Sequence, residues 1–194
     1  MTHPVATPAR VLLILGSVRA QRICPAVADC VAQLMQDGYP HLALRIADLA
    51  HWPLPLDDEP SMPALNRYAS AHTRAWSEEV QAADACIFVT PQYNWGYPAA
   101  LKNAIDHLYR EWHDKPALII TYGGHGGGKC AAQLAQVLAA VKMRVVATMP
   151  GIVLHETVIR AGAAFDAERD FAPHAASVAQ ALDVLHAMLD AGPR

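Results

Sequence analysis

The chain has 194 residues, a formal net charge of -3 and a hydrophobic fraction of 53%. That is enough for one domain burying roughly 70% of its unfolded surface, and the scattered basic residues argue against a nucleic-acid partner. The four cysteines (Cys24, Cys30, Cys86, Cys130) show no CxxC or metal-type spacing, the first ten residues lack the apolar segment of a signal peptide, and no apolar run is long enough to cross a bilayer, so a reduced, cytoplasmic protein with no membrane partner is the expectation.

In chain order, residues 1–9 carry two prolines and little periodicity, which predicts a loose tail. Residues 10–194 then read as a single domain. Val11 to Leu15 is an apolar strand ending in Gly16-Ser17. A helix begins near Pro25, with Val27, Val31 and Leu34 on one face and Gly38 at its stop. Leu42 to Ile46 is a short second strand. Trp52 to Pro63 holds four prolines and is a loop. Leu65 to Gln81 is predicted helical, with Trp76 and Val80 inward. Ala85 to Thr90 is a buried strand. Beyond the loop that follows it, Pro98 suits a first helical turn, and Leu101, Ile105, Leu108 and Trp112 share a face. Pro116 to Tyr122 is a fourth strand. Leu134, Val137, Leu138 and Val141 mark a helix, Val145 to Met149 a fifth strand, and Val178, Leu182, Leu185 and Leu189 a closing helix before Gly192-Pro193. Residues 151–170 show no clear pattern.

Strands alternating with helices imply a parallel sheet covered on both faces. Five strands fit the flavodoxin-like order 2-1-3-4-5; the six strands of a dinucleotide-type sheet would need more chain. Ligands of such sheets sit at the carboxyl ends of the strands, so three loops carry the functional reading. Gly16-Ser17-Val18-Arg19-Ala20-Gln21-Arg22 joins a strand to a helix start, whose free N–H groups and dipole attract anions. Ser17, Arg19 and Arg22 suit a phosphate; a capping serine and solvated arginines explain the same residues equally well. The turn lacks the G-x-G-x-x-G of dinucleotide sites. Pro91-Gln92-Tyr93-Asn94-Trp95-Gly96-Tyr97 offers flat apolar faces and an amide, a lining for a flat ring rich in heteroatoms. Gly123 to Gly128 holds five glycines and His125. Gly123, Gly128 and Lys129 match G-x-x-x-x-G-K, yet Cys130 stands where a hydroxyl should hold magnesium, which rules against a nucleoside triphosphatase. Close backbone approach to a planar ligand is the better account.

Together these loops resemble the NADPH-dependent FMN reductase family, which includes small quinone, azo-dye and chromate reductases. The resemblance rests on Gly16-Ser17-x-Arg19, on Pro91-x-Tyr93-Asn94 with Pro98 and Leu101-Lys102-Asn103-Ala104-Ile105-Asp106, on Tyr122-Gly123-Gly124 with Gly126-Gly127, and on Leu54-Pro55-Leu56 with Asp58-Glu59-Pro60. It implies a flavodoxin-like subunit, a homodimer or dimer of dimers, that binds FMN without a covalent link. By motif match Ser17, Arg19 and Arg22, with the backbone around Ile23, would hold the phosphate. Pro91, Gln92, Tyr93, Asn94 and Trp95 would line the ring. Tyr122, Gly123, Gly124, His125 and Gly126 would meet its other edge. Gln92 stands where the family usually has Glu. The implied reaction passes hydride from NAD(P)H through flavin N5 to a quinone, flavin, azo dye or chromate in ping-pong fashion, so no protein acid or base is named as catalytic. Two alternatives stay open: an FMN-binding electron carrier or regulatory partner without meaningful turnover, and a flavin-free interaction domain.

The remaining signals read as structural. The ten histidines form no H-E-x-x-H or comparable set, so no metal site is expected and most should lie at the surface, His125 beside the flavin being the exception. Lys102 and Asp106 read as a surface pair, and Trp76 as core.

Overall fold

The computed structural model describes residues 8–56 and 58–192. Most of the tail expected over residues 1–9 lies outside them, as does Pro193. Six parallel strands are described: β1 (Arg10–Leu15), β2 (Ala43–Asp48), β3 (Ala85–Pro91), β4 (Pro116–Gly123), β5 (Arg144–Val145) and β6 (Gly151–Val153). Their order is β2-β1-β3-β4-β5, with β6 also pairing with β4, as the flavodoxin-like reading requires.

Side-chain alternation along the strands builds two separate cores. Val11, Leu13, Leu15, Ile87, Val89, Leu118 and Ile120 face α1 (Cys24–Gly38) and the closing helix, Ala175–Asp190. Leu12, Ile14, Cys86, Phe88 and Ile119 face α2 (Ala71–Gln81), α3 (Ala99–Asp106) and α4 (Gly128–Ala140). Because both faces are covered, the central strands run apolar over residues 11–15, 85–89 and 117–120. Trp76 lies wholly buried in the second core, and its indole N–H donates to the Ala104 carbonyl at 2.8 Å. That bond satisfies the one polar group this large side chain brings inside.

Three elements differ from expectation. The helix expected from Leu65 starts only at Ala71. Pro63–Leu65 forms a single 3-10 turn that Asn66 ends in the left-handed region, at φ 53°. The Glu59 carboxylate then accepts from the amides of Ala69 and Ser70 at 2.7 and 3.0 Å, drawing off donors a helix would use. The fifth strand expected over 145–149 is split into β5 and β6. Ala117 pairs with Val145 and Thr121 with Gly151, so the outer chain spends two residues more than β4 over the same stretch and bulges. Bonds from Val146 N to Ala117 O and from Thr121 N to Pro150 O bracket the bulge. The helix after the aromatic loop ends at Asp106; Leu108 and Trp112 are buried beyond it, Trp112 in a 3-10 turn.

The uncharted stretch contains β6, the short helix α5 (Glu156–Arg160) and a π-turn over Ala167–Phe171. The last helix, α6, spans Ala175–Asp190. Among the described residues no helix is long and apolar enough to cross a membrane. All four cysteines are free thiols.

Candidate active site at the carboxyl ends of the strands

The loops after β1, β3 and β4 meet at one end of the sheet. The first is fastened by main chain and charge. Gly16 N donates to Val89 O at 2.9 Å, and a Cβ on Gly16 would lie 3.0 Å from Thr90 Oγ1, so glycine is needed for this approach. Arg22 then turns back and donates to the Ser17 carbonyl at 2.6 Å and to both oxygens of Asp48 at 2.6 Å each. Both side chains of this pair are largely buried, at 13% and 16% exposure. The hydrogen bonds that Arg22 donates to Asp48 raise its pKa further. Burial opposes the charge on Asp48, but the bonds from Arg22 and from the Ala50 amide outweigh it and hold the carboxyl below its usual range.

Arg22 therefore shapes the loop, and its charge is already matched by Asp48. The amides from Ser17 to Ile23 donate to no backbone carbonyl among the described residues, and Ile23 gives α1 no side-chain cap. These are the unpaired donors that make a helix start an anion seat. Arg19 is exposed and lies with its guanidinium carbon 3.6 Å from the centre of the Tyr93 ring. The Tyr93 hydroxyl rests 2.9 Å from Ser17 Oγ. Ser17 is fully buried beneath it, so a ligand reaches this hydroxyl only when Tyr93 turns aside.

The second loop is a two-residue hairpin. Tyr93 and Gly96 exchange both backbone hydrogen bonds, at 2.9 and 3.0 Å, across Asn94 and Trp95. Asn94 (φ 50°) and Trp95 (φ 72°) both lie in the left-handed region, as a type I′ turn demands. Asparagine tolerates that; tryptophan there is strained. The indole is 62% exposed, with the Lys129 ammonium 3.0 Å from its ring centre. Pro91 is buried in the strand. Gln92 folds over the next loop: its Oε1 accepts from Cys130 N at 3.1 Å, in the first turn of α4.

In the third loop Gly124 and His125 are exposed, and Gly126 and Gly127 are buried. The last two take φ of 72° and 85°, and a Cβ on Gly127 would come within 2.7 Å of Thr121. Thr121 Oγ1 also donates to Gly126 O at 2.7 Å. Tyr122 points the other way. Its side chain is 3% exposed in the α1 core, where burial drives its pKa upward, so it offers the site only main chain. Of the residues expected at a ligand, Ser17, Arg19 and Tyr93 are brought into contact with one another, Asn94, Trp95, Gly124 and His125 stand at the rim, and Arg22 and Tyr122 are committed elsewhere.

Sequence reasoning missed Asp48, Thr121 and Ile159. The Ile159 side chain reaches the glycine loop from α5, about where a Cβ on Gly124 would touch it at 3.8 Å. Among the histidines, most of which are expected at the surface, His107 is buried. Its Nε2 meets the Pro55 carbonyl at 2.8 Å and its Nδ1 meets Thr73 Oγ1 at 3.1 Å. Asn103 donates to the carbonyls of Leu54 and Pro55 at 2.9 and 3.3 Å, so the motif asparagine pins the proline-rich loop. Asp58, His72 and His107 also come together, with ligand atoms within 4.8 Å of one another. Lys102 and Asp106 form the expected surface pair at 2.5 Å.

The profile of the family described as NADPH-dependent FMN reductase matches residues 9–153. An NAD(P)H-dependent FMN reductase of Schizosaccharomyces pombe is 43% identical over 186 residues, covering 95% of this chain and 92% of its own. Another, of Saccharomyces cerevisiae, is 50% identical over 147 residues, covering 71% and 77%. A quinone reductase of Escherichia coli is 30% identical, covering 81% and 85%. Among solved structures, a flavoenzyme NAD(P)H:acceptor oxidoreductase of Paracoccus denitrificans superposes with a TM-score of 0.70 at 22% identity, covering 96% of this chain and all of the other. The chain belongs to the NADPH-dependent FMN reductase family, and is an oxidoreductase of flavodoxin-like fold.

Proposed function

We propose that this protein uses FMN to carry electrons from NAD(P)H to a quinone or similar small acceptor, donor and acceptor taking turns at one exposed ring face. The observation that carries this reading is the first loop. Its amides, unpaired among the described residues, and the exposed cation of Arg19 lie where a strand end meets a helix start, next to the ring of Tyr93. These groups suit a phosphate tail beside a flat ring. The amides from Ser17 to Ile23, with Arg19, would hold the phosphate of FMN, and the bound flavin would supply hydride chemistry at N5, taking a hydride from NAD(P)H and giving a hydride to the quinone, with one proton from solvent completing the quinol.

The chain's own part is binding and orientation. Arg22, held by Asp48, fixes the carbonyl of Ser17 and so the direction of the following amides. Arg19 supplies the charge that Arg22 has already spent. Gly123 and Gly124 leave the other rim free of side chains, and Trp95 presents a flat face at the entrance. We further propose a homodimer in a reducing, cytoplasmic setting. Exposed Leu56, Met62 and Trp95 support a covering copy, and four unpaired thiols support the compartment.

The decisive experiment is the visible spectrum of the purified protein before and after anaerobic NADPH, followed by steady-state NADPH oxidation with menadione. A yellow protein that bleaches with NADPH and turns over menadione supports the reading. A yellow protein that NADPH leaves oxidised is a carrier served by another reductase. A colourless protein that retains no added FMN removes the proposal.

A further inference from the structure

The end of the sheet opposite the candidate site carries a second arrangement of chemistry-bearing groups. His41 lies in the connection that leads into β2, and His186 lies on α6. Their Nε2 atoms face each other at 3.1 Å. The rings are close to perpendicular, 83° apart with centroids at 5.2 Å, so each nitrogen points at the same small volume. We infer that His41 and His186 together form a binding site for a zinc ion that clips the connection before β2 to the last helix.

Three observations carry this. The first is spacing. Two imidazole nitrogens held about 2.0–2.1 Å from a tetrahedral zinc stand about 3.3–3.4 Å apart. The observed separation falls short of this by a few tenths of an ångström, which a small ring rotation supplies. The second is preparation of His186. The ring of Tyr39 stacks on it at 4.8 Å and 26°, and the Tyr39 hydroxyl is anchored to Asp183, one turn earlier on α6. Asp190 Oδ2, one turn later, stands 3.5 Å from His186 Nδ1. A carboxylate behind Nδ1 favours the tautomer with its proton there, which leaves the Nε2 lone pair free for a metal.

The third is what the pair must do without a metal. Two facing imidazole nitrogens coexist at this distance only by sharing a proton. Zinc takes that place at no cost in protons. His41 moves its own proton from Nε2 to Nδ1, both rings stay neutral, and two coordination positions remain for water. The ligand class is a borderline divalent cation that accepts imidazole nitrogen.

The group formed by Asp58, His72 and His107 is the weaker candidate despite its third residue. Both nitrogens of His107 are already matched by the Pro55 carbonyl and Thr73, and those bonds hold the proline-rich loop in place. The His41–His186 pair gives up only the contact between its own two rings.

The test is calorimetric titration of the flavin-loaded full chain with zinc chloride in a non-chelating buffer. Wild type should show one saturable site per chain, and zinc should raise its melting temperature. His41→Ala and His186→Ala should each weaken zinc binding by at least about tenfold and abolish the thermal shift. His72→Ala should leave both readouts unchanged. Circular dichroism checks that each variant is folded; His41 is exposed and His186 partly so, and neither loss opens a core. Absence of a saturable site in wild type overturns the inference. So does zinc affinity that survives both changes, or affinity lost only in His72→Ala. Menadione turnover should stay the same in all three histidine variants without zinc, which keeps this result separate from the flavin reading.

Discussion

The loops after β1 and β3 lie against each other, yet they are held by opposite means. The first is held by attraction. Arg22 ties Asp48 to the Ser17 carbonyl, and the backbone beyond is left with its amides free. The second is held against its preference, with Asn94 and Trp95 both in the left-handed region between paired Tyr93 and Gly96. A loop that must grip an anion profits from fixed, unpaired donors, because nothing then has to reorganise on binding. A loop that must present a broad aromatic face to a changing partner carries strain instead, which the adjoining strand and helix impose. Breaking the clamp on the first loop and relieving the strain in the second should therefore move stability in opposite directions.

The largest effect is expected at the clamp. Asp48→Ala strands a mostly buried guanidinium and should cost about 3 kcal/mol of stability, read as a lower denaturant midpoint, with weaker FMN retention. An unchanged midpoint would mean that Arg22 finds water instead. The same pair gives a sign for pH. The folded Asp48 carboxyl titrates below its unfolded value of about 3.9, so its contribution is whole above that value and fades as pH falls through the folded pKa. Buried Asp170, held at about 2 chiefly by hydrogen bonds from Arg169, behaves alike. Acid titration should show stability flat near neutrality and falling between about pH 4 and 2, and Asp48→Ala should make that fall shallower.

Arg19 separates binding from fold within the same loop. It is exposed and makes no ion pair among the described residues, so Arg19→Ala should leave the melting temperature nearly unchanged. FMN affinity, followed by flavin fluorescence, should drop about ten- to a hundredfold, the equivalent of one charge-assisted bond of about 1.5–3 kcal/mol. Equal affinity in the two proteins would move the phosphate away from Arg19. In the strained loop, Trp95→Gly should raise stability by about 1 kcal/mol, while Trp95→Ala, which keeps a Cβ at positive φ, should not. Menadione turnover should fall in both. A glycine variant no more stable than the alanine one would mean that the hairpin relaxes elsewhere.

Most of the sheet could be read from the sequence because its strands are covered on both sides and so appear as unbroken apolar runs. The loops at their ends could be read through glycine, aromatic and amide content. What escaped was chemistry that depends on distant partners. Asp48 looks like any polar residue closing a strand; only the fold brings it to Arg22, 26 positions away. Arg22 looked free for the same reason. The divided outer strand escaped because Val145 to Met149 is apolar but for Thr148, and nothing local says that Pro150 must reach Thr121 through a bulge. His107 does not stand out among the ten histidines because no periodicity marks the carbonyl of Pro55 that it meets.

Gln92 joins the strained loop to the start of α4, and its replacement gives the smallest effect and the sharpest distinction. It leaves the strained hairpin and caps the first turn of α4 through Cys130 N at 3.1 Å. Its amide oxygen does what a carboxylate would do there, without the charge. Anions near a helix start add about 0.3–1 kcal/mol, so Gln92→Glu should raise the melting temperature slightly, and more at low salt than at high. The cost should appear at the site instead. The glycine loop begins beside this side chain, and a negative charge there opposes the anionic form of a reduced flavin ring. Reduction by NADPH should slow while the fold gains. If Gln92→Glu stabilises the protein and leaves reduction unaffected, the capping role stands alone and the residue is no part of the redox site.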